Sequence, residues 1–248
     1  TAAALVPRAQ MEPIDRLACA VTDAFTADVR TAYNRFDIHN VYLRAIDFES
    51  AMSSLYFDAL KDPLYSRAAG DPRRRSAQSA LLYVLQRFLT ALAPILSFTT
   101  EEAWQSLPAD LRRDAESVFD TTFESAQRGD FSPDDVALWD SLRALRARVA
   151  ASESPRDFEA QVRLAVEPKL YQRLAALGDN LREALVVSQL ELAEAATGAE
   201  DGVASFDIAR ADGEKCERCW KYRELGTDPE NPTICADCAA TVRGLGVA

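Results

Sequence analysis

The chain has 248 residues, of which 48% are hydrophobic and 27% charged, and its formal net charge is −11. This composition is typical of globular proteins with room for one large or two to three small domains. It excludes a bilayer-spanning helix, because no apolar run approaches the ~20 residues required. The negative charge argues against nucleic-acid binding through bulk charge.

The first residues, TAAALVPRAQ, carry neither a secretory signal nor an initiator Met. We therefore expect an excised piece of a longer protein, although LVPR also occurs in protease-cleavable tags. Five cysteines, four of them clustered near the C-terminus, do not resemble an oxidised secretory framework, which favours a reducing cytoplasmic compartment.

The first third of the chain is predicted to be helical. Apolar residues recur at three- and four-residue steps over residues 14–32, the pattern of an amphipathic helix. Asp37 is placed to cap a second helix. Asp71 is placed to cap a third, which Pro94 must end because proline has no amide hydrogen to donate. These segments predict a helical bundle.

The chain changes character after the bundle. A Thr99/Glu102 capping box is predicted to begin the last bundle helix, and the charged residues 108–131 are read as a connector. Residues 132–212 then combine helical and strand-like sequence patterns. A helix is predicted after Ser132-Pro133, a strand at EAQVRLAVE, where apolar and polar residues alternate, and a short helix that ends at Gly178. Strands are also predicted at EALVVSQLELAE and ASFDIARA. A small α+β unit follows from this mixture.

Two C-x2-C pairs separated by fifteen residues stand near the C-terminus: Cys216 with Cys219, and Cys235 with Cys238. Four thiolates can surround one Zn²⁺ tetrahedrally at ~2.3 Å and leave no open position for water, which indicates a structural ion. Disulfides or idle cysteines are the alternative, and an iron–sulfur cluster is a further one. Cys19 stands apart among apolar residues and is expected to be a small buried side chain.

Several residues are candidates for contact with an RNA loop. Trp220 can stack on an unpaired base or cover the metal site as local core. Arg218 can contact phosphates and base edges or offset the thiolate charge. Three consecutive arginines at a helix N-terminus can bind phosphate or simply be solvated: Arg73, Arg74 and Arg75.

The finger sequence EKCERCW followed by ICADC resembles the C-terminal zinc finger of bacterial isoleucyl-tRNA synthetases. DNA glycosylases related to formamidopyrimidine glycosylase have a similar finger, so the rest of the chain decides between the two families. Segments 54–66 (SLYFDALKDPLYS), 74–85 (RRSAQSALLYVL) and 92–104 (LAPILSFTTEEAW) look like the anticodon-binding bundle of the synthetases. Segment 167–188 resembles the small domain that joins this bundle to the finger.

The resemblance implies a mainly α fold in three parts. An anticodon-binding helical bundle with its connector would occupy residues 1–131, a small α+β junction domain residues 132–212, and a four-cysteine zinc finger residues 213–248. The four finger cysteines would hold one structural Zn²⁺ per chain. The implied partners are isoleucine-accepting tRNA, contacted by Arg218, Trp220 and residues 73–75, and the rest of a synthetase chain. A cytoplasmic monomer without membrane contact is expected.

The chain carries none of the motifs that class I synthetases use to activate amino acids. The only histidine is His39, and neither a His-Ile-Gly-His-type nor a Lys-Met-Ser-Lys-Ser-type motif occurs. We therefore assign no catalytic residue to this chain and place ATP chemistry in a domain that it lacks. One alternative is a stand-alone zinc-finger module that binds RNA or protein. A glycosylase-type protein is less favoured, because such an enzyme needs a reactive N-terminal proline, whereas this sequence begins with Thr1.

Overall fold

A computed structural model describes residues 4–112, 115–123, 131–197 and 201–244. The chain forms two compact units. Unit 1 comprises Thr1–Ser53 and Arg75–Ala137, and unit 2 comprises Ser54–Arg74 and Leu138–Ala248. No helix in the described ranges is long and apolar enough to cross a membrane.

Unit 1 is helical. Its elements are α1 (Pro13–Asn34), α2 (Ile38–Ala51), most of α4 (Pro72–Leu92), α5 (Ser97–Gln105) and the first turn of α6 (Pro133–Ala150). The predicted apolar stripe over residues 14–32 is buried, and Cys19 within it is fully buried as expected. The core between α1, α2 and α4 contains a cluster of three aromatic rings, in which Phe25 stacks on Phe48 at 4.3 Å between centroids and both lie 5.7 Å from Phe88.

A buried carboxylate ties the N-terminal segment of unit 1 to two of its helices. Asp23 of α1 is 1% exposed. It accepts hydrogen bonds from Arg8 at 2.6 Å, from the Tyr83 hydroxyl at 2.6 Å and from Arg87 at 3.0 Å. A buried carboxylate is stable only when it is paired in this way.

Two of the predicted helix starts are confirmed. The Asp37 side chain caps α2 by accepting from the amide of Asn40, and Asp71 accepts from the amide of Arg73 at 2.9 Å. The α4 helix ends at Leu92, two residues before Pro94, as expected for a residue that cannot continue the hydrogen-bond ladder.

The predicted capping box of α5 is wrong. The helix begins at Ser97, so Thr99 lies inside its first turn, and the N-cap position is occupied by Leu96 without a side-chain hydrogen bond. Glu101, rather than Glu102, reaches out of the helix and accepts from the amide of Val118 at 2.9 Å. Of the predicted connector 108–131, residues 113–114 and 124–130 lie outside the described residues. The described remainder contains two 3-10 turns, Ala109–Leu111 and Val118–Asp120.

Unit 2 combines helices with a small sheet. Its first segment begins within a π-helical turn, Met52–Phe57, and continues into α3 (Asp58–Ser66); the rest of α6 follows. Then come β1 (Ala160–Val166), α7 (Pro168–Ala175), α8 (Asp179–Leu185), β2 (Gln189–Glu194) and β3 (Val203–Arg210). The sheet order is β2-β1-β3, with β1 parallel to β2 and antiparallel to β3. Parallel neighbours need a crossover, which α7 and α8 provide.

The strand predicted to begin at Glu183 starts later than expected. Residues 179–185 form α8, the left-handed backbone of Val186 (φ 58°) ends this helix, and β2 begins only at Gln189. A short apolar run such as ALVV does not distinguish a buried helix end from a buried strand. The strands predicted around β1 and β3 are confirmed.

The cysteine segment completes unit 2. It consists of the two-residue strands β4 (Glu214–Lys215) and β5 (Tyr222–Arg223), which pair antiparallel, and of α9 (Ala236–Gly244). The fold class is therefore confirmed: mainly helical, with a small α+β portion and a cysteine cluster. The division at residues 131 and 212 stays a prediction, because packing groups the residues differently.

Candidate metal centre and adjoining cleft

The four cysteines of the finger converge. Their sulfur atoms all lie within 4.8 Å of one another, and the Sγ atoms of Cys219 and Cys235 are 3.8 Å apart. A tetrahedral ion with Zn–S bonds of ~2.3 Å places its sulfurs about 3.8 Å apart. None of the four forms a disulfide. The donor set and its spacing therefore fit Zn²⁺.

Local backbone geometry favours the thiolate form of one of the four cysteines, Cys216, whereas the hydrogen bond with Cys238 raises the pKa of Cys219 and burial raises that of Cys235. The amide of Cys235 donates to the Sγ atom of Cys216 at 3.3 Å. Burial tends to raise the pKa of the Cys216 thiol, but backbone amides of Cys219, Cys235 and Arg218 outweigh it and lower the pKa to about 7. The apolar cover of the cluster comes from Leu225 and Ile234.

Trp220 does not cover the metal centre. Its side chain is 62% exposed, and its backbone adopts the left-handed conformation with φ 65°. A non-glycine residue in this region is costly and is often found at a functional site. The amide of Trp220 donates to the carbonyl of Cys216 at 2.9 Å, and the ammonium of Lys215 lies 5.6 Å from its ring centroid.

The indole borders a cleft of about 580 Å³ in unit 2. Tyr65 at the end of α3 is another exposed aromatic residue of its lining, and cationic side chains line it as well: Lys61, Arg156, Lys215 and Arg218. Acidic side chains, among them Asp58 and Asp157, also line the cleft. Aromatic and cationic groups together can hold a base and its phosphate, and carboxylates can accept hydrogen bonds from a base edge.

Arg218 is already engaged by the protein. Its Nη1 atom donates to the carbonyl of Ser66 at 2.5 Å and lies 3.6 Å from the Sγ atom of Cys238. The second contact is the geometry expected of a cation that offsets thiolate charge. Its predicted role in RNA contact stays a prediction.

The predicted arginine cluster at the start of α4 has internal partners. Arg73 forms an ion pair with Glu183, Arg74 donates to the carbonyl of Arg67 at 3.0 Å, and Arg75 donates to the side chain of Gln78 at 3.2 Å. Their predicted phosphate contact therefore stays a prediction.

Lys221 is the residue whose role the sequence did not indicate. By position it offers one more cation near the thiolates, yet its side chain is 3% exposed and its Nζ atom lies 2.6 Å from the Oδ2 atom of Asp62 in α3. The two residues are 159 positions apart, so no local pattern could reveal the pair.

Comparisons with known proteins agree with this architecture. A family model described as the anticodon-binding domain of tRNA ligase matches residues 15–164, and one described as a zinc finger found in FPG and IleRS matches residues 213–240. The second match supports zinc as the ion. Curated relatives include isoleucine–tRNA ligases of three bacteria. The enzyme of Nitratidesulfovibrio vulgaris is 35% identical over 98% of this chain, that of Bordetella pertussis 37% over 97%, and that of Lawsonia intracellularis 33% over 98%.

The chain spans only 26–28% of the length of these relatives. The match to the anticodon-binding domain covers more than half of the chain and runs through both compact units. The finger match contains all four clustered cysteines. The chain therefore belongs to the family of anticodon-binding domains of tRNA ligases and carries the zinc finger that isoleucyl-tRNA synthetases share with FPG proteins.

Proposed function

We propose that the chain is the anticodon-binding portion of an isoleucine–tRNA ligase and that it binds the anticodon stem and loop of an isoleucine-accepting tRNA. The relatives named above support the amino acid and the tRNA. The observation that carries the binding role is the display of Trp220, a large aromatic side chain held in a costly backbone conformation beside a cleft lined by both cationic and acidic side chains.

In this proposal an unpaired base of the loop stacks on the indole of Trp220. Base–aromatic stacking is worth about 1–3 kcal/mol per base. Lys61, Arg156 and Lys215 would contact the flanking phosphates, which position the loop, while the carboxylates of the cleft would accept from the base edge. Such a contact is local, so it is compatible with a net charge of −11.

Zinc would be structural, with one ion per chain. Four thiolates fill its coordination shell, so the ion could not activate a water molecule. The ATP-dependent attachment of isoleucine would belong to the part of the relatives that this chain does not match. Binding energy gained at the anticodon would then orient the tRNA for that reaction. We further propose a cytoplasmic monomer.

The test is the affinity of the zinc-loaded chain for tRNA, measured by fluorescence anisotropy with a labelled isoleucine-accepting transcript. Trp220→Ala is expected to weaken binding about 5- to 150-fold, the equivalent of the stacking energy, and Trp220→Phe less than that. A transcript with an altered anticodon should bind more weakly to the wild type and respond less to Trp220→Ala.

Phe98→Ala is the matched control, because Phe98 is a 93% exposed aromatic residue of unit 1 that does not line the cleft. Its substitution should leave affinity unchanged. Equal losses for Trp220→Ala and Phe98→Ala, or no loss for either, would contradict the proposal. A zinc-dependent protein-interaction module, the alternative function, would show no preference for the anticodon at any salt concentration.

A further inference from the structure

The backbone of Trp220 is fixed by its two neighbours. On one side, Cys219 belongs to the sulfur cluster. On the other, the carbonyl of Lys221 accepts from the amide of Cys216 at 2.9 Å, while the amide of Trp220 donates to the carbonyl of the same cysteine. These hydrogen bonds close the loop 216–221 on itself. They define the shape of the loop but not its placement against the rest of unit 2.

That placement depends on contacts with α3. The ammonium of Lys221 lies 2.6 Å from the carboxylate of Asp62, with the two side chains 3% and 8% exposed. The ring of Phe158 lies 5.9 Å from the same ammonium. Separating the two side chains would leave at least one charge buried without a partner and without water, which is energetically costly. The pair therefore anchors the loop, because removing either partner alone would leave the other charge buried and unpaired.

The anchor and the cleft share the same helix. Asp62 is followed in α3 by Tyr65 and Ser66, which line the cleft, and the carbonyl of Ser66 receives the second contact of the loop, from Arg218. The two adjacent residues therefore differ in environment: Trp220 is 62% exposed, whereas Lys221 is buried. Fixing one side chain fixes the direction of the other.

We propose that Lys221 is a positioning residue, which holds the indole of Trp220 at the cleft through its buried ion pair with Asp62. The inference rests on the proposed function for the effect on tRNA. The position of the indole itself can be measured without tRNA.

The test uses the zinc-loaded chain labelled with 5-fluorotryptophan. Its three indoles differ in environment, because Trp104 and Trp139 are 1% and 2% exposed whereas Trp220 is 62% exposed. Trp220→Phe assigns the third fluorine resonance. Lys221→Met is expected to shift or broaden that resonance alone, to leave one zinc per chain and to weaken tRNA binding by about the factor seen for Trp220→Ala.

Two further variants separate positioning from general stability. Adding Lys221→Met to Trp220→Ala should cause no additional loss of affinity, because both changes remove the same contact. The apolar pair Asp62→Leu with Lys221→Met should restore the wild-type resonance and affinity, because no charge is left unpaired. Lys169→Met, an exposed lysine of α7, is the control and should change neither.

Three results would overturn the proposal. The Trp220 resonance of Lys221→Met could match the wild type, the zinc could be lost from both Lys221→Met and the apolar pair, or Lys221→Met could bind tRNA normally while Trp220→Ala does not. Unchanged tRNA affinity of Trp220→Ala would instead refute the proposed base contact. In that case the fluorine spectrum of Lys221→Met would still decide whether the lysine positions the indole.

Discussion

At the scale of single residues, Glu183 is a buried carboxylate with one unsatisfied oxygen. Its Oε2 atom contacts Arg73, while its Oε1 atom makes no hydrogen bond within the described structure. Burial raises the pKa of Glu183 above its ordinary value of 4.5, against the attraction of Arg73, Lys221 and Arg182, and the negative charge of Asp62 acts in the same direction as burial. Glu183 therefore favours the folded state most when it is protonated.

The sign of this effect can be measured with Glu183→Gln. Above about pH 4.5 the unfolded chain releases the proton of Glu183 before the folded chain does, so the wild type loses free energy of unfolding as the pH rises toward the folded pKa. The variant lacks this loss. Its free energy of unfolding relative to wild type should therefore increase over that interval.

Urea denaturation at a series of pH values provides the measurement. Glu191→Gln, which replaces an exposed carboxylate of β2 that pairs with Arg163, is the control for the substitution itself. A relative stability of Glu183→Gln that decreases with pH would show that the pair with Arg73 outweighs burial.

The convergence of the four cysteines was predictable because C-x2-C spacing is a local property of the chain. The exposure of Trp220 was not, since the same sequence position suits a residue that covers the ion. Leu225 and Ile234 provide that cover instead. The partner of Lys221 lies in a helix 159 positions earlier, and a single sequence carries no signal for such a contact.

At the scale of elements, Gly213 determines whether β4 and β5 can pair. Its φ is 93°, and a Cβ atom at this position would lie 2.7 Å from the carbonyl oxygen of Arg223. Real Cβ atoms do not approach a carbonyl oxygen so closely. Because Glu214 pairs with Arg223 in this hairpin, a side chain at residue 213 would force the strands apart.

Gly213→Ala is therefore expected to destabilise the finger by more than the backbone cost alone. Gly226→Ala is the matched control, since Gly226 also has a positive φ of 74° but has open space around its Cβ direction. The control should lose about 1–2 kcal/mol from its strained backbone, and Gly213→Ala more. Zinc retention during urea titration measures the stability of the finger in each variant. Equal losses of stability in the two variants would show that the hairpin can shift to accommodate the methyl group.

Helices were more predictable than their starts. The apolar period of α1 and the caps Asp37 and Asp71 follow from local chemistry, and the structure confirms them. The α5 start at Ser97 was missed because the chain turns back into a helix directly after α4. No polar residue stands at its N-cap, and Leu96 occupies that position.

At the scale of the whole molecule, zinc is expected to support only part of the structure. Structural zinc contributes about 10–16 kcal/mol to folding in small fingers, whereas the core of unit 1 contains no cysteine of the cluster. Removing the ion with a strong chelator should abolish amide-exchange protection across the described finger residues, 213–244. Protection in α1 and α4 should persist.

Cysteine variants give the same test without a chelator. Cys216→Ser should lower the zinc content well below one ion per chain, because three thiolates bind the ion more weakly than four. Cys19→Ala, which changes a buried cysteine of α1, should retain one ion. Full protection of residues 213–244 after complete loss of zinc would contradict the structural role.

The division of the whole chain was the least predictable feature. Composition and pattern change along the chain near residue 131, but unit 2 also recruits Ser54–Arg74 from within the helical region. Buried residues such as Leu55, Tyr56 and Leu60 read as the core of one continuous bundle from sequence alone. Which core they enter depends on contacts between residues far apart in the chain, and sequence period does not report these contacts.

The recruitment of Ser54–Arg74 restricts how such a protein can be recombined. A crossover after Ala137 that exchanged the C-terminal part between two relatives would combine Lys221 from one parent with α3 from the other. If that helix lacked an acid at the position of Asp62, the chimera would bury a lone ammonium group. Inheritance of the two positions should therefore be linked across 159 residues, and a chimera that failed for this reason would be repaired by one acidic substitution in α3.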